Sequence, residues 1–317
     1  MKAITYSSYG DISELKMSYI ALPEPAKGMV RVKVLACAVN LSDWEYLTGS
    51  PAYIRLVAGL KRPKRQVLGS DIVGEVDKLG PDVSDFKLGD RILGDVVMLR
   101  GGFAEFACIP AKEMALVPAG MGDDIAACLP QAGGIAVAGT QGITPGTRVL
   151  INGAGGGSGT LALQLAKAAG AHVTVVDNAH KTGWLQSLGA DETIDYRVQD
   201  FVTSGKKWDY ILDMVATRSP GQIAKALNKQ GAYKAVGGKV SVLLSLLLGG
   251  LFYRLKGKHI GMLMVPAGRD LTQRVVTMAE RGEISPHLDA VLPLDAVPAA
   301  LQSTGNGEVK GKIVIKL

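Results

Sequence analysis

Residues 148–177 read RVLINGAGGGSGTLALQLAKAAGAHVTVVD, and this stretch decides the fold. A short apolar run, Val149 to Ile151, ends in Asn152 and opens into a glycine-rich turn, Gly153-Ala154-Gly155-Gly156-Gly157-Ser158-Gly159. An amphipathic segment, Leu161 to Ala169, follows and stops at Gly170. A second apolar run, His172 to Val176, ends in Asp177. Strand, glycine turn, helix, strand and acid, in that order, is the layout of a dinucleotide-binding βαβ unit. The residue types follow from the ligand. A pyrophosphate needs backbone N–H groups pointing at it and a helix N-terminus behind it, and side chains in the turn would block its approach. In the strict G-x-G-x-x-G register, Ala154 takes the first position and Gly156 and Gly159 the other two. The looser register Gly153-x-x-Gly156-x-x-Gly159 is filled completely. The glycines alone also suit a plain strand-to-helix turn; the strand before, the helix after and the trailing acid favour the nucleotide.

Outward toward the C-terminus the alternation continues. Lys181–Leu188 reads as a helix stopped by Gly189, then Glu192–Tyr196 and Tyr210–Val215 as strands. Pro220–Leu227 reads as a helix with proline in its first turn. Gly231–Val236 and Ile260–Val265 read as strands, and Asp270–Glu280 as a helix ended by Gly282. Strands alternating with helices predict a doubly wound parallel sheet. Upstream, Asp123–Leu129 reads as a helix start capped by Asp123. Before it the chain is β-rich: Met1–Tyr6, Met29–Ala38, which alternates well, Asp71–Lys78 with Gly74 inside it, a strand entered at Ile92, and Phe103–Ile109. Short strands between Gly, Pro and Asp turns predict an antiparallel, barrel-like domain. The alternating tail, Gly311 to Leu317, is expected to return to that domain.

The 317 residues suffice for two domains. Formal net charge is +6, mild for this length and mostly dispersed, so no nucleic-acid partner is expected. The one dense cluster, Lys61-Arg62-Pro63-Lys64-Arg65, reads as a solvated loop, with an anion or membrane-surface patch as the sharper alternative. Cys37, Cys108 and Cys128 are too few and too widely spaced for a disulfide framework. The first residues, MKAITYSSYG, show no apolar signal core or arginine-rich transit pattern, and a cytoplasmic location is the expectation. The longest apolar stretch, Val242 to Phe252, is too short to span a bilayer. It reads as a buried or pocket-lining helix, ahead of an oligomer contact or a membrane-surface helix.

Seven ordered stretches carry a resemblance over nearly the whole chain. They are Ala38-Val39-Asn40-Leu41-Ser42-Asp43-Trp44, Leu68-Gly69-Ser70-Asp71-Ile72-Val73-Gly74-Glu75-Val76, Phe86-Lys87-Leu88-Gly89-Asp90-Arg91-Ile92, Gly101-Gly102-Phe103-Ala104-Glu105-Phe106, the Gly153–Gly159 turn, Leu188-Gly189-Ala190-Asp191 and Ile194-Asp195-Tyr196. In these the chain resembles the medium-chain dehydrogenase/reductase superfamily, in its zinc-independent quinone-oxidoreductase-like branch. The resemblance implies an α/β chain with a GroES-like β-barrel domain, residues 1–118 and 284–317, and a Rossmann doubly wound domain, residues 119–283, joined as a homodimer through the edge strand near Ile260–Val265. Zinc members carry a cysteine in the first stretch and Gly-His-Glu in the second. This chain has Asn40 and Asp43 around the first position and Gly69-Ser70-Asp71 in the second, so no zinc is expected; Cys37 reads as core.

Without that Lewis acid, simple alcohol oxidation is disfavoured. Hydride addition to a conjugated carbonyl, with charge delocalised onto oxygen, is the easier reaction. The expected activity is NAD(P)H-dependent reduction of a quinone or an α,β-unsaturated carbonyl; the alternative is a non-catalytic NAD(P)H-binding sensor or structural protein. By resemblance Asn40 lies near the nicotinamide, and Tyr46 and Tyr53 are candidates for the substrate pocket, Tyr46 also for proton donation. Ordinary packing tyrosines are an equal reading. The cofactor is expected to meet Gly153, Ala154, Gly155, Gly156, Gly157 and Ser158 in the turn, Asp177, Asn178 and Lys181 after the second strand, Tyr196, and the strand ends Met214, Val215, Val236 and Gly237. Asp177 favours NADH, because an acid there binds both ribose hydroxyls and repels a 2′-phosphate. Lys181 and the habit of the family favour NADPH. Relatives often carry Leu-Thr-Ala where this chain has Gly134-Ile135-Ala136, so a hydroxyl expected near the cofactor is missing.

Overall fold

The computed structural model describes residues 1–317. They form two compact units: Met1–Gly134 with Ala267–Gly282 and Pro286–Leu317, and Ile135–Pro266 with Glu283–Ser285. The first unit begins with β1 (Lys2–Thr5), β2 (Lys16–Tyr19), β3 (Met29–Ala38), α1 (Leu41–Thr48), α2 (Tyr53–Ala58), β4 (Asp71–Leu79), β5 (Arg91–Asp95), β6 (Phe106–Pro110), β7 (Ala115–Leu116) and α3 (Asp123–Ala127). After α4 (Pro130–Thr140) come β8 (Arg148–Asn152), α5 (Gly157–Ala168), β9 (His172–Asp177), α6 (Ala179–Ser187), β10 (Glu192–Asp195), β11 (Trp208–Asp213), α7 (Pro220–Ala226), β12 (Leu227–Ala235), α8 (Val240–Arg254) and β13 (His259–Met262). The chain then rejoins the first unit with α9 (Arg269–Glu280), β14 (Leu288–Pro293), α10 (Val297–Gly305) and β15 (Lys312–Lys316).

The second unit is a six-stranded sheet in the order β10-β9-β8-β11-β12-β13, parallel throughout. Counting from β8 this is 3-2-1-4-5-6, the doubly wound order, and its direction of winding reverses between β8 and β11. Val149, Leu150 and Ile151 are all buried, as a strand covered on both faces requires. Trp208 and Phe201 meet edge to face, centroids 6.0 Å apart, and the indole N–H donates to Thr174 Oγ1 at 3.1 Å, so this buried polar group is satisfied.

The first unit holds a seven-stranded sheet, β14-β15-β3-β4-β5-β7, with β6 also on β3, and a separate β1–β2 pair. Its pairs are antiparallel except β14–β15. One edge of β3 pairs along its length with β4. The other changes partner, from β6 at Met29–Lys33 to β15 at Ala36–Ala38. Its pairing with β4 shifts register twice, and Gly74 lies there in close contact, where a Cβ would fall 2.8 Å from the Lys33 carbonyl oxygen. The returning tail is β15, whose register brings Lys316 opposite Ala36.

Several expectations change. Residues 119–134 and 267–282 group with the first unit rather than the second, because α3 packs on β3 and β4 and α9 on β5 and β7. Arg269 of α9 donates to the carbonyls of Met114 and Ala111. Gly122, not Asp123, occupies the N-cap of α3; Asp123 is drawn into an ion pair with Arg91 instead. Val242–Phe252 is helical, within α8; only Leu246 and Gly250 of that helix are buried, while Leu247 and Leu251 line a groove. The helix packs on the edge strand β13 and on α7, which leaves its opposite face uncovered. The helices α1 and α2 leave no trace in the apolar pattern; Asn40 is the N-cap of α1, and its N–H donates to Asp43 Oδ2 at 3.0 Å.

Candidate functional site

The glycine turn follows β8, at the point where the winding reverses. Gly156 is the N-cap of α5 and Gly157, Ser158 and Gly159 open its first turn. N–H groups of a first turn have no carbonyl four residues back, so they present an anion-binding end. Gly159 is required by close packing: a Cβ there would lie 2.6 Å from the Cα and carbonyl oxygen of Ala154. Ala154 is wholly buried, so the turn holds the helix start with its own backbone.

Asp177 closes β9 beside this turn. Its Oδ2 accepts the Gly155 N–H at 2.7 Å, its Oδ1 accepts the Asn178 N–H at 2.9 Å, and Lys181 Nζ lies 3.8 Å away. Asp177 is 7% exposed and Lys181 4%. The carboxylate is thus directed into the turn, tying β9 to the loop after β8.

Asp213 does the same for the neighbouring strand. It is wholly buried and accepts from Asn152 Nδ2 at 2.7 Å, from the N–H groups of Val215 and Ala216 and from the Tyr233 hydroxyl at 3.0 Å. Burial and the adjacent Asp213 charge push the Tyr233 hydroxyl well above the usual phenol range. The Met214 N–H reaches the Asn152 carbonyl, and the Val236 N–H reaches that of Asp213. The turn, Asp177, Asn178, Lys181, Met214, Val215, Val236 and Gly237 therefore all follow the carboxyl ends of β8, β9, β11 and β12, where open α/β sheets bind ligands. Tyr196 follows β10; its N–H reaches the Asp177 carbonyl, and its ring is exposed.

In the first unit a chain of buried polar groups runs from β15 to α1. Lys312 Nζ donates to Asn40 Oδ1, to the Val39 carbonyl at 3.2 Å and to Asp71 Oδ2 at 3.4 Å. Asn40 Nδ2 donates to Ser70 Oγ at 3.3 Å. Asp71 Oδ1 accepts from the Gln131 N–H, and Gln131 Nε2 reaches Asp95. Desolvation drives the Asp71 carboxyl upward; the Lys312 ammonium pulls it back and Asp95 adds to the rise. Three residues after Asn40, Asp43 receives the N–H groups of Asn40 and Gly69 and pairs with Arg100. Both of those side chains are wholly buried. The Arg100 guanidinium lies 3.5 Å over the Tyr46 ring.

Tyr46 in turn lines a cavity of about 200 Å³ with Tyr6, Val57, Ala58, Lys64, Arg65 and Met98. Desolvation pushes the Tyr6 hydroxyl upward. Tyr53 packs against the apolar core beneath α1 and does not line this cavity, and Asn40 belongs to the Lys312 cluster. Tyr6, Arg100, Lys312 and the Asn152–Asp213 pair carry much of this geometry and were not among the expected site residues. Only the last pair leaves a signal in the sequence, two polar residues closing apolar runs.

The donor set around Asn40 bears on zinc. It offers a carboxamide, a hydroxyl and one carboxylate already facing an ammonium, with no thiolate or imidazole, and does not fit the ligands zinc selects. No group of three His, Cys, Asp or Glu side chains is placed to share a metal ion.

A glycine turn at the switch point of a doubly wound sheet in one unit, with a β-rich unit beside it in the chain, is the arrangement of a two-domain nicotinamide-dependent oxidoreductase. Comparison with known proteins narrows the class. Residues 26–120 match the alcohol dehydrogenase GroES-like domain, and residues 188–315 match the zinc-binding dehydrogenase family. The chain is 31% identical to the chloroplastic quinone-oxidoreductase QR1 of Triphysaria versicolor, over 100% of this chain and 98% of that protein. It is 30% identical to the 2-methylene-furan-3-one reductase of Solanum lycopersicum, over 99% of this chain and 79% of the other. The quinone oxidoreductase structure from Coxiella burnetii superposes with a TM-score of 0.88 at 26% identity, covering 100% of this chain and 99% of that one. The chain belongs to the medium-chain dehydrogenase/reductase superfamily, in its quinone-oxidoreductase-like branch.

Proposed function

We propose that this protein is an NAD(P)H-dependent reductase of quinones and α,β-unsaturated carbonyls that works without zinc and prefers NADH. The observation that carries the reading is the Lys312 cluster. At the positions where zinc relatives hold their metal, this chain places Asn40, Ser70 and Asp71 around an ammonium. A fixed monocation bound by its own carboxylate supplies little Lewis acidity to an alkoxide. Acceptors that delocalise charge by themselves need less of it. The relatives' names, a quinone oxidoreductase and a furanone reductase, support the same substrate class.

The reduced nicotinamide supplies the hydride. The first turn of α5 and the Gly153–Ser158 backbone suit the pyrophosphate, and Asp177 supports NADH by placing a carboxylate beside the turn. Tyr46 and Tyr6 offer hydroxyl donors to an acceptor oxygen in the 200 Å³ cavity, and Lys64 and Arg65 set a positive potential at its wall. Arg100 acts through Tyr46 by fixing its ring, and Asp43 fixes Arg100.

The test is oxidation of NADH and of NADPH with a panel of quinones and 2-alkenals, beside a simple alcohol with the oxidised cofactors. Turnover of the conjugated acceptors that survives chelator and favours NADH is the expected result. Bound cofactor with no turnover on any acceptor would overturn it and favour the non-catalytic reading.

A further inference from the structure

Helix α8 carries an uncovered apolar face. Leu244, Leu247, Leu248, Leu251, Phe252 and Leu255 are all exposed, with Leu248 at 80%, Leu251 at 71% and Leu255 at 86%. Positions 244, 247, 248, 251 and 255 recur at three- and four-residue steps, so they form one stripe along the helix. The opposite side is seated tightly. Leu246 and Gly250 are buried, and a Cβ on Gly250 would strike the Ile260 carbonyl of β13. The leucines therefore point outward from a firmly docked helix.

The segment that carries this face is charged with one sign. From 214 to 269 the chain has nine Lys and Arg residues and no Asp or Glu. Of the nine, only Arg218 and Arg269 form ion pairs, with Asp200 and Asp85. Lys239 caps the N-terminal end of the helix and Arg254 ends it. Lys256 Nζ lies 4.3 Å over the Phe252 ring. Between α8 and β13 runs a groove of about 340 Å³, lined by Leu247 and Leu251 together with Lys234, Arg254 and His259.

We infer that α8 docks this protein on an anionic lipid bilayer, lying in the interface with the leucine stripe among the acyl chains and the groove facing headgroup phosphates. An apolar stripe flanked by unpaired cations is what such a surface recognises. The 15-residue helix is about 22 Å long, short of the hydrocarbon core of about 30 Å, and no helix is long and apolar enough to cross a membrane. A second copy is the poorer occupant. An isologous contact through this face would bring the cations at the helix ends, Lys239, Arg254 and Lys256, toward those of the second copy with no acid in the segment to pair them. A bilayer carrying phosphatidylserine complements both the apolar and the charged parts.

The full-length protein is tested by co-sedimentation with phosphatidylcholine–phosphatidylserine vesicles and with pure phosphatidylcholine. Binding to the anionic vesicles, weakened by salt, is expected. Leu247→Ser with Leu251→Ser should abolish it, and Lys239→Ala or Arg254→Ala should each weaken it about fivefold. Unchanged circular dichroism and unchanged turnover of a water-soluble quinone show that the variants are folded. Wild-type protein that stays in the supernatant overturns the inference, as does binding indifferent to the leucine changes. A dimer in gel filtration that the leucine changes dissociate, with no vesicle binding, assigns the face to a second copy and also overturns it.

Discussion

Asp177 with Lys181 in one unit and Asp71 with Lys312 in the other are both buried carboxylate–lysine pairs, at 3.8 and 3.4 Å, yet they are built in opposite ways. Asp177 and Lys181 are four positions apart on one strand–helix turn, and the carboxylate already holds the N–H groups of Gly155 and Asn178. Lys181 is an addition to a carboxylate satisfied by backbone. Asp71 and Lys312 are 241 positions apart, and there the lysine is the hub: it alone joins Val39, Asn40 and Asp71. A local pair survives loss of its cation; a hub does not.

The sharpest break of that comparison is to remove each ammonium in turn. Lys312→Met leaves Asp71 without its counter-charge and the Asn40 and Val39 oxygens without their donor, which should cost about 3–5 kcal/mol in urea unfolding. Lys181→Met should cost about 1 kcal/mol or less, since two N–H donors remain. The pH dependence follows from the Asp71 carboxyl, which burial already raises. Without the ammonium it rises further, so above the ordinary carboxylate range the folded variant keeps a proton that the unfolded chain has released. Its stability then falls as pH climbs, and the deficit against wild type should be larger at pH 8 than at pH 5. Equal costs for the two lysines would show that Lys312 is no hub.

Glu45, on α1 next to Tyr46, gives a smaller effect of the same sign. Burial pushes its carboxyl up from 4.5 to about 7, with Arg100 opposing. A raised folded value means full stability below the unfolded value, lost as pH rises through the folded one. Glu45→Gln removes this loss. The variant should match wild type at pH 4 and exceed it by about 2 kcal/mol at pH 8, read from thermal unfolding at both. A pH-independent difference would show that the carboxylate is solvated.

The same contrast explains what could be read beforehand. The β8–α5–β9 unit is a local device: its glycines, its helix start and Asp177 sit within thirty residues, so spacing alone announced it. Asn152 and Asp213 closed apolar runs and were visible as oddities, but only the pairing of β8 with β11 brings them to 2.7 Å. Lys312 stood in an alternating tail with nothing to mark it as buried, because its partners arrive through the return of β15 onto β3. The apolar run in α8 was plain, but its direction was not: composition cannot tell a core stripe from an uncovered one when both recur at helical spacing.

The last comparison lies within the turn itself and separates the charge of Asp177 from its position. Asp177→Ser removes the carboxylate. If that charge favours NADH, the ratio of NADH to NADPH affinity should fall about tenfold, or 1.4 kcal/mol, measured by fluorescence titration of both cofactors. Gly155→Ala keeps the charge but crowds it: the new Cβ would meet Lys181 Cδ and lie 2.8 Å from Asp177 Oδ2. Lys181 is itself buried, and the carboxylate is held by the Gly155 and Asn178 N–H groups. The cost should therefore fall in the ordinary range for overpacking, about 1–3 kcal/mol. Cofactor affinity should drop for both nucleotides alike, with little change in their ratio. If Gly155→Ala instead shifts the ratio as far as Asp177→Ser does, the preference comes from the shape of the turn. Asp177 would then be a tie between β9 and the turn, not a reader of the ribose.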